Sequence, residues 1–376
     1  MSKEKNILVF IDWYRPGYRA GGPIRSLANL VDRLPFQFWI VTSIYDHYAE
    51  EPYPNIPQNE WQHRTDNEHV MYLGPGGMNK KLVQDLLNKR EYDLVYLNSL
   101  FSMTFALKPL RYIQKIKAHP PILLAPRGML KAGALSVKAG KKKAFLKIAK
   151  TFNLFKGITW HATNDTEADE IRQHFGSKQN IRVAPNLPKA ASGKRNIPSK
   201  KPGELHLVTI ARVSPEKGTL EGLQAIAKVR GNVKWDIYGT LQSEEYVQQC
   251  RSLAEELDAD ISFHGEIEPT RISEKIEAGH FFFLTTLGEN YGHAIAESFL
   301  SGVPVVISDR TPWKDLAVKN AGWELPLEGD AISKQLQACL EMNEEAYLTL
   351  CESTLEFGKE IALAEEAIQA NIELFR

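Results

Sequence analysis

The sequence predicts an α/β chain made of two doubly wound parallel sheets. Three observations carry this expectation. Short apolar runs alternate with helical patterns from one end to the other. A basic, Pro/Gly/Ser-rich stretch interrupts them near the middle. The chain has 376 residues, more than one ordinary core accommodates. Apolar residues make up 43% and charged residues 24%, the profile of a soluble globular protein.

In the first half, residues 6–11, 36–43, 70–73, 93–97, 121–125, 158–161 and 181–184 are apolar runs that read as strands. The first runs into a loop ending in Gly21-Gly22-Pro23. Ile24, Leu27, Leu30, Val31 and Leu34 then recur with helical spacing, which makes the first strand-loop-helix unit. Residues 80–88, 105–116 and 166–175 are expected to be helical, the last capped by Asn164-Asp165, and residues 45–66 to form a long loop. Residues 189–204, KAASGKRNIPSKKPGE, read as the linker. Beyond it, strands are expected at 205–210, 233–238, 261–264 and 281–286, and helices at 219–229, 244–257 and 271–278. Residues 314–317, 330–342 and 344–360 also read as helical, and the chain ends in the run 362–375. The expected domains are 1–188 and 205–355, joined by 189–204 and followed by 356–376.

Net charge is zero, but the charges are segregated. Residues 94–164 carry 13 Lys and Arg and no acid, and residues 321–376 carry 12 acids against three bases. Such asymmetry bears on partners rather than on fold. Residues 131–156, with Lys131 and Lys156 at the ends, hold eight Lys interleaved with Leu135, Val137, Phe145, Leu146, Ile148, Phe152 and Phe155. This is either a helix with solvated lysines or an amphipathic surface for an anionic membrane. The three cysteines lack metal-ligand spacing and read as reduced thiols. No apolar run is long enough for a signal peptide or a membrane span, so a cytoplasmic protein is expected, peripheral on the inner face of the membrane if the lysine segment docks there. Nothing points to nucleic acid.

Four places carry chemistry. Gly21 and Gly22 let the backbone approach a ligand at a helix start, where free N–H groups favour anions. Arg127 lies in a Pro-Arg-Gly-Met turn at the carboxyl end of a strand, where ligands bind in open α/β sheets. Arg212 and Lys217 stand five apart on a loop ending in glycine and are able to converge on one phosphate. Glu289 and Glu297 bracket the start of a helix, with Asn290, Tyr291 and Gly292 at its free amides.

The pattern E-N-Y-G-x-x-x-x-E-S-x-x-x-G-x-P-V-V resembles the E-x7-E signature of retaining, nucleotide-sugar-dependent glycosyltransferases of family four, which have the GT-B fold. R-V-S-P-E-K-G is similar to that family's phosphate-binding loop, and Gly21-Gly22 to its first-domain glycine loop. P-R-G-M-L and T-P-W look like a bacterial branch that builds surface polysaccharides. The resemblance implies two Rossmann-like domains facing across a cleft, with the C-terminal helix crossing back to the first. It implies transfer from a UDP- or GDP-linked sugar to a glycan or lipid-linked acceptor, with no metal and no cofactor. Arg212 and Lys217 would stabilise the diphosphate, and amides at 290–292 would hold the distal phosphate and sugar. Glu297 would bind the ribose, Glu289 the donor sugar, and Gly265 and Ile267 the base. Arg127 would face the acceptor.

One position departs from the family pattern. Many members of that family carry His-x-His where this chain has Tyr96 and Asn98. Asn98 is expected to hydrogen-bond a donor hydroxyl but cannot titrate. A sugar-nucleotide epimerase and a catalytically silent sugar-nucleotide-binding protein are the alternative readings.

Overall fold

The computed structural model describes residues 5–131, 134–135, 139–190 and 196–376. The chain divides into two units, residues 1–187 with 365–376, and residues 188–364.

The first unit holds β1 (Asn6–Phe10), β2 (Gln37–Ser43), β3 (Trp61–His63), β4 (Glu68–Leu73), β5 (Leu94–Asn98), β6 (Ile122–Ala125), β7 (Thr159–Ala162) and β8 (Asn180–Val183). They form one sheet in the order β3-β4-β2-β1-β5-β6-β7-β8. All pairs are parallel except β3 with β4, an edge pairing that residues 45–66 conceal because Trp61–His63 is too short to show a period. β1 lies central, and Ile7, Leu8, Val9 and Phe10 are all fully buried, as a strand covered on both faces requires. The helix at 105–116 is expected to be continuous; the chain instead makes a π-helical turn at Met103–Leu107 before Lys108–Ile113, where Pro109 sits in the first turn.

The terminal helix, Glu365–Leu374, belongs to this unit. Phe375 packs against Phe36, Phe38 and Tyr96 with ring centroids 5.9, 6.0 and 5.2 Å apart. Lys5 and Arg182 bond its last carbonyls, placing cations at the negative end of the helix.

The second unit holds β9 (Glu204–Ile210), β10 (Asn232–Tyr238), β11 (Asp260–Gly265), β12 (Phe281–Leu284), β13 (Val305–Ser308) and β14 (Gly322–Leu325), in the parallel order β11-β10-β9-β12-β13-β14. Residues 314–317 do not form the expected helix. They belong to a turn whose amides at Asp315 and Leu316 donate to Glu324, on the short strand β14 that follows.

The second half of the linker is not free. Lys200 is 1% exposed and donates to the carbonyls of Lys201, Leu340 and Met342, capping the end of helix Ala331–Glu341. Residues 191–195 lie outside the described residues. Of the lysine-rich segment, helix Ala139–Thr151 is described. Cys250, Cys339 and Cys351 are buried and outside any disulfide, and burial pushes the Cys339 thiol up to about 12. Among the described residues no helix is long and apolar enough to cross a membrane.

Candidate functional site

In the second unit, β9 leads into a single 3-10 turn, Pro215–Lys217, closed by Gly218 with φ 69°. A Cβ on Gly218 would lie 1.8 Å from the Thr285 carbonyl oxygen, so only glycine lets this loop rest on the end of β12. Three hydrogen bonds then stitch the two loops together. Thr285 Oγ1 donates to Gly218 O (2.5 Å), Thr286 Oγ1 to Glu216 O (3.0 Å) and Leu287 N to Glu216 O (2.8 Å). Ser308 Oγ, on the neighbouring strand, donates to Thr286 O.

This stitching sets Lys217 Nζ 2.5 Å from Glu289 Oε1, with the side chains only 12% and 17% exposed. At that depth, removing either partner leaves a poorly solvated charge. Arg212 shares the loop but stands apart from the pair. Its side chain is 41% exposed and reaches Gln242 (3.2 Å) and Glu216 (3.4 Å).

The Glu289 loop runs into helix His293–Leu300 through Gly292, at φ 78°. Trp313 Nε1 donates to Tyr291 O at 2.5 Å, and the Tyr291 ring packs between His293 and Trp313. Asn290, Tyr291 and Gly292 are thereby held at the helix start. Glu297, half-buried, is the fifth residue of that helix. Gly265 ends β11 at φ 74°, and a side chain there would meet no atom within 4 Å. Ile267 packs partly buried on the core around Val208 and Phe282. Beside them Asp236 accepts from His206 and His264, both at 2.6 Å. Burial raises its carboxyl, but these bonds and Lys234 outweigh it and hold it below its usual value.

In the first unit the corresponding edge centres on Arg127, which takes φ 59°, unusual for a residue with a side chain. Its guanidinium donates from Nε and Nη2 to Asn98 Oδ1 (3.1 and 2.9 Å), from Nη1 to Asn186 Oδ1 (2.9 Å) and from Nη2 to Tyr96 Oη (2.8 Å). His161 Nε2 lies 2.9 Å from Ala184 O, which only accepts. Nε2 therefore carries the proton, and Nδ1 accepts from Tyr96 Oη at 2.7 Å. Burial, then the Arg127 charge, lowers His161 to about 3, while burial pushes Tyr96 up to about 12. The turn is fixed from behind by buried Glu167, which accepts from Gly128 N (2.6 Å), Thr163 N (2.8 Å) and Thr163 Oγ1 (2.7 Å).

This arrangement corrects one expectation. Asn98 is fully buried and its amide oxygen holds Arg127, so it presents no group to a sugar hydroxyl. The reason is its place as the last residue of β5, covered on both faces. Gly21, at φ 67°, and Gly22 open helix Gly22–Arg33, and a Cβ added at either would meet no atom within 4 Å.

Sequence reasoning missed Asp12, just beyond β1. It accepts from Ser102 Oγ at 2.7 Å, and burial pushes its carboxyl up to about 6. It also missed Asn186 and the stitching residues Thr285, Thr286 and Ser308. The only local signal was a Thr pair ending an apolar run. Among the described residues, no three His, Cys, Asp or Glu side chains are grouped to hold a metal ion.

A family model described as glycosyl transferases group 1 matches residues 192–348, which lie within the second unit. No curated protein sequence matches the chain. Solved structures resemble it over nearly its whole length. The Anabaena protein HepE, in complex with UDP and glucose, has a TM-score of 0.69 at 17% identity, covering 98% of this chain and 99% of its own. Sucrose-phosphate synthase from Thermosynechococcus elongatus has a TM-score of 0.67 at 14% identity, covering 100% and 98%. An alpha,alpha-trehalose-phosphate synthase (UDP-forming) from Burkholderia xenovorans, in complex with glucose-6-phosphate, has a TM-score of 0.70 at 10% identity, covering 98% and 99%. The fold is GT-B.

Proposed function

We propose that the protein is a retaining glycosyltransferase that moves a sugar from a UDP- or GDP-linked donor to a glycan or lipid-linked acceptor in polysaccharide synthesis. The observation that carries this is the Lys217–Glu289 pair on two stitched loops beside the start of helix His293–Leu300, inside the stretch that matches the group 1 family model. The solved complexes of the Anabaena protein with UDP and with UDP-glucose support such a donor.

In this reading an incoming diphosphate takes over Lys217 from Glu289 and recruits Arg212. The amides at residues 290–292 hold the distal phosphate, Glu297 the ribose and Glu289 the sugar, while Gly265 and Ile267 border the base. In the first unit, Gly21 and Gly22 offer exposed backbone to a ligand at the start of helix Gly22–Arg33. The bond from the anomeric carbon to the leaving phosphate oxygen breaks. The acceptor oxygen bonds to the same face, and its proton passes to that phosphate oxygen. The two cations and the helix amides neutralise the leaving group, the role a divalent cation has elsewhere. Transfer is therefore expected to persist in excess chelator.

Arg127 lies on the acceptor side. The same proposal places the protein in the cytoplasm, on the inner membrane face, through helix Ala139–Thr151 and the residue after it. Lys141, Lys143, Lys147 and Lys150 are exposed there, with Ile148 and Phe152 56% and 78% exposed. Co-sedimentation with anionic vesicles at low salt, lost at high salt, checks that part. For the donor, calorimetry with a panel of UDP- and GDP-sugars is the test. Saturable binding of at least one supports the proposal, and no binding of any sinks it. Product formed without acceptor would instead mark an epimerase.

A further inference from the structure

Two residues with side chains take left-handed backbone angles on neighbouring strand ends of the first unit. Ser99 follows β5 at φ 74°, and Arg127 lies just beyond β6 at φ 59°. Ser99 N donates to Ala125 O at 3.0 Å, which ties the two ends together. Residues held in such angles persist where their surroundings over-determine them, and they cluster at active sites and ligand clamps.

What the surroundings over-determine here is a guanidinium. It carries five N–H donors in a fixed fork. Nε donates to Asn98 Oδ1, Nη2 to Asn98 Oδ1 and Tyr96 Oη, and Nη1 to Asn186 Oδ1. The second proton of Nη1 has no partner among the described residues. The three acceptor residues are buried, whereas Arg127 itself is half-buried and reached by solvent.

The cage is neutral throughout. Burial pushes the Tyr96 hydroxyl up to about 12, so it stays protonated. Burial, then the Arg127 charge, lowers His161 to about 3, so it stays uncharged. Glu167, the carboxylate behind the turn, accepts from Gly128 N, Thr163 N and Thr163 Oγ1 and makes no ion pair with Arg127. Residues 94–164 contribute no acid at all. An arginine withdrawn from water ordinarily pairs with a carboxylate. Here dipoles hold the fork in place and leave its charge unbalanced, which favours an oxyanion over a neutral hydroxyl.

We infer that Arg127 is an oxyanion site of the first unit, holding a phosphate or carboxylate group of the acceptor through its remaining Nη1 proton. The inference rests on the glycosyltransferase reading and narrows its acceptor to an anionic one.

The test is calorimetry on the full chain, first saturated with UDP or GDP, whichever binds, so that Lys217 and Arg212 are occupied. The probes are inorganic phosphate, glucuronate and, as neutral control, glucose, at constant ionic strength. The wild type is expected to bind at least one of the two anions saturably and to prefer it to glucose. Tighter phosphate binding assigns the group to a phosphate-linked acceptor, and tighter glucuronate binding to an acidic sugar. Asn186→Asp keeps an acceptor for Nη1 but sets a negative charge against Arg127. It should lower anion affinity roughly tenfold or more, the weight of one charge-assisted hydrogen bond, and leave nucleotide affinity unchanged. Saturable binding of neither anion by the wild type overturns the site, whatever the variant does. Equal anion affinity in Asn186→Asp overturns it too, because the anion then sits elsewhere. Nucleotide binding without anion binding sinks the oxyanion site alone. If no nucleotide or nucleotide sugar binds, the same titration without nucleotide decides. Anion binding that Asn186→Asp abolishes then keeps the site and sinks the transferase.

Discussion

At the carboxyl edge of the second sheet, Lys217 faces the carboxylate of Glu289 at 2.5 Å. At the same edge of the first sheet, Arg127 faces Tyr96, Asn98 and Asn186, none of them charged. Among the described residues no carboxylate comes within ion-pair distance of Arg127. Each unit thus keeps a half-buried cation where its strands end, but neutralises it differently. An ion pair balances charge while a site is empty and opens when a stronger anion arrives. A cage of neutral dipoles fixes direction and leaves the field of the cation pointing outward. The first arrangement suits exchange with a diphosphate, and the second suits orienting a turn and whatever docks on it.

The comparison breaks most readily at Lys217. Lys217→Ala should lower transfer by about 100- to 1000-fold, or roughly 3–4 kcal/mol, the scale of losing one preorganised donor to a developing anion. Steady-state kinetics with a responsive donor reads this. Activity within a few-fold of wild type would remove Lys217 from the mechanism.

Arg127→Met should act on stability first. It leaves the oxygens of Asn98 and Asn186 buried without a donor, at a cost of about 2–3 kcal/mol by denaturant unfolding. It also sharpens a pH effect. The folded-state value of His161 lies near 3, below the ordinary value of 6.5. Its stabilising contribution is therefore complete above pH 6.5 and is lost as pH falls toward 3. Removing the Arg127 charge raises His161, so the acid-induced loss should become smaller in the variant. Burial is the larger cause, so the loss should not vanish. An unchanged acid limb would mean that Arg127 does not act on His161.

The smallest effect is expected at Arg212. It is 41% exposed, so Arg212→Gln should leave stability within about 0.5 kcal/mol. Donor affinity should fall roughly tenfold, about 1.4 kcal/mol, by calorimetry. An unchanged affinity would confine phosphate recognition to Lys217.

Much of the second unit was legible because its signals are local. Phe281–Leu284 is a continuous apolar run, Gly218 and Gly292 stand where the backbone turns left-handed, and the helix that carries Glu297 has small residues at Ala294, Ala296 and Ser298. The first unit was less legible. Trp61–His63 is too short to show a period, and the π-helical turn at Met103–Leu107 looks helical in any window. The role of Asn98 is hidden in the sequence because a residue's type shows what it is able to bond, not whether solvent reaches it.

Taken alone, the sequence determined the alternation of strands and helices, the glycines at the turns and the presence of Arg212, Lys217, Glu289 and Glu297, since these depend on neighbours a few positions away. Tertiary structure alone decided the pairings. Lys217 meets Glu289 across 72 positions, Arg127 meets Asn186 across 59, and Lys200 disappears under the end of a helix 140 positions later. Such contacts depend on which strands lie side by side, and strand order is set by burial of whole faces, which no single stretch of residues encodes.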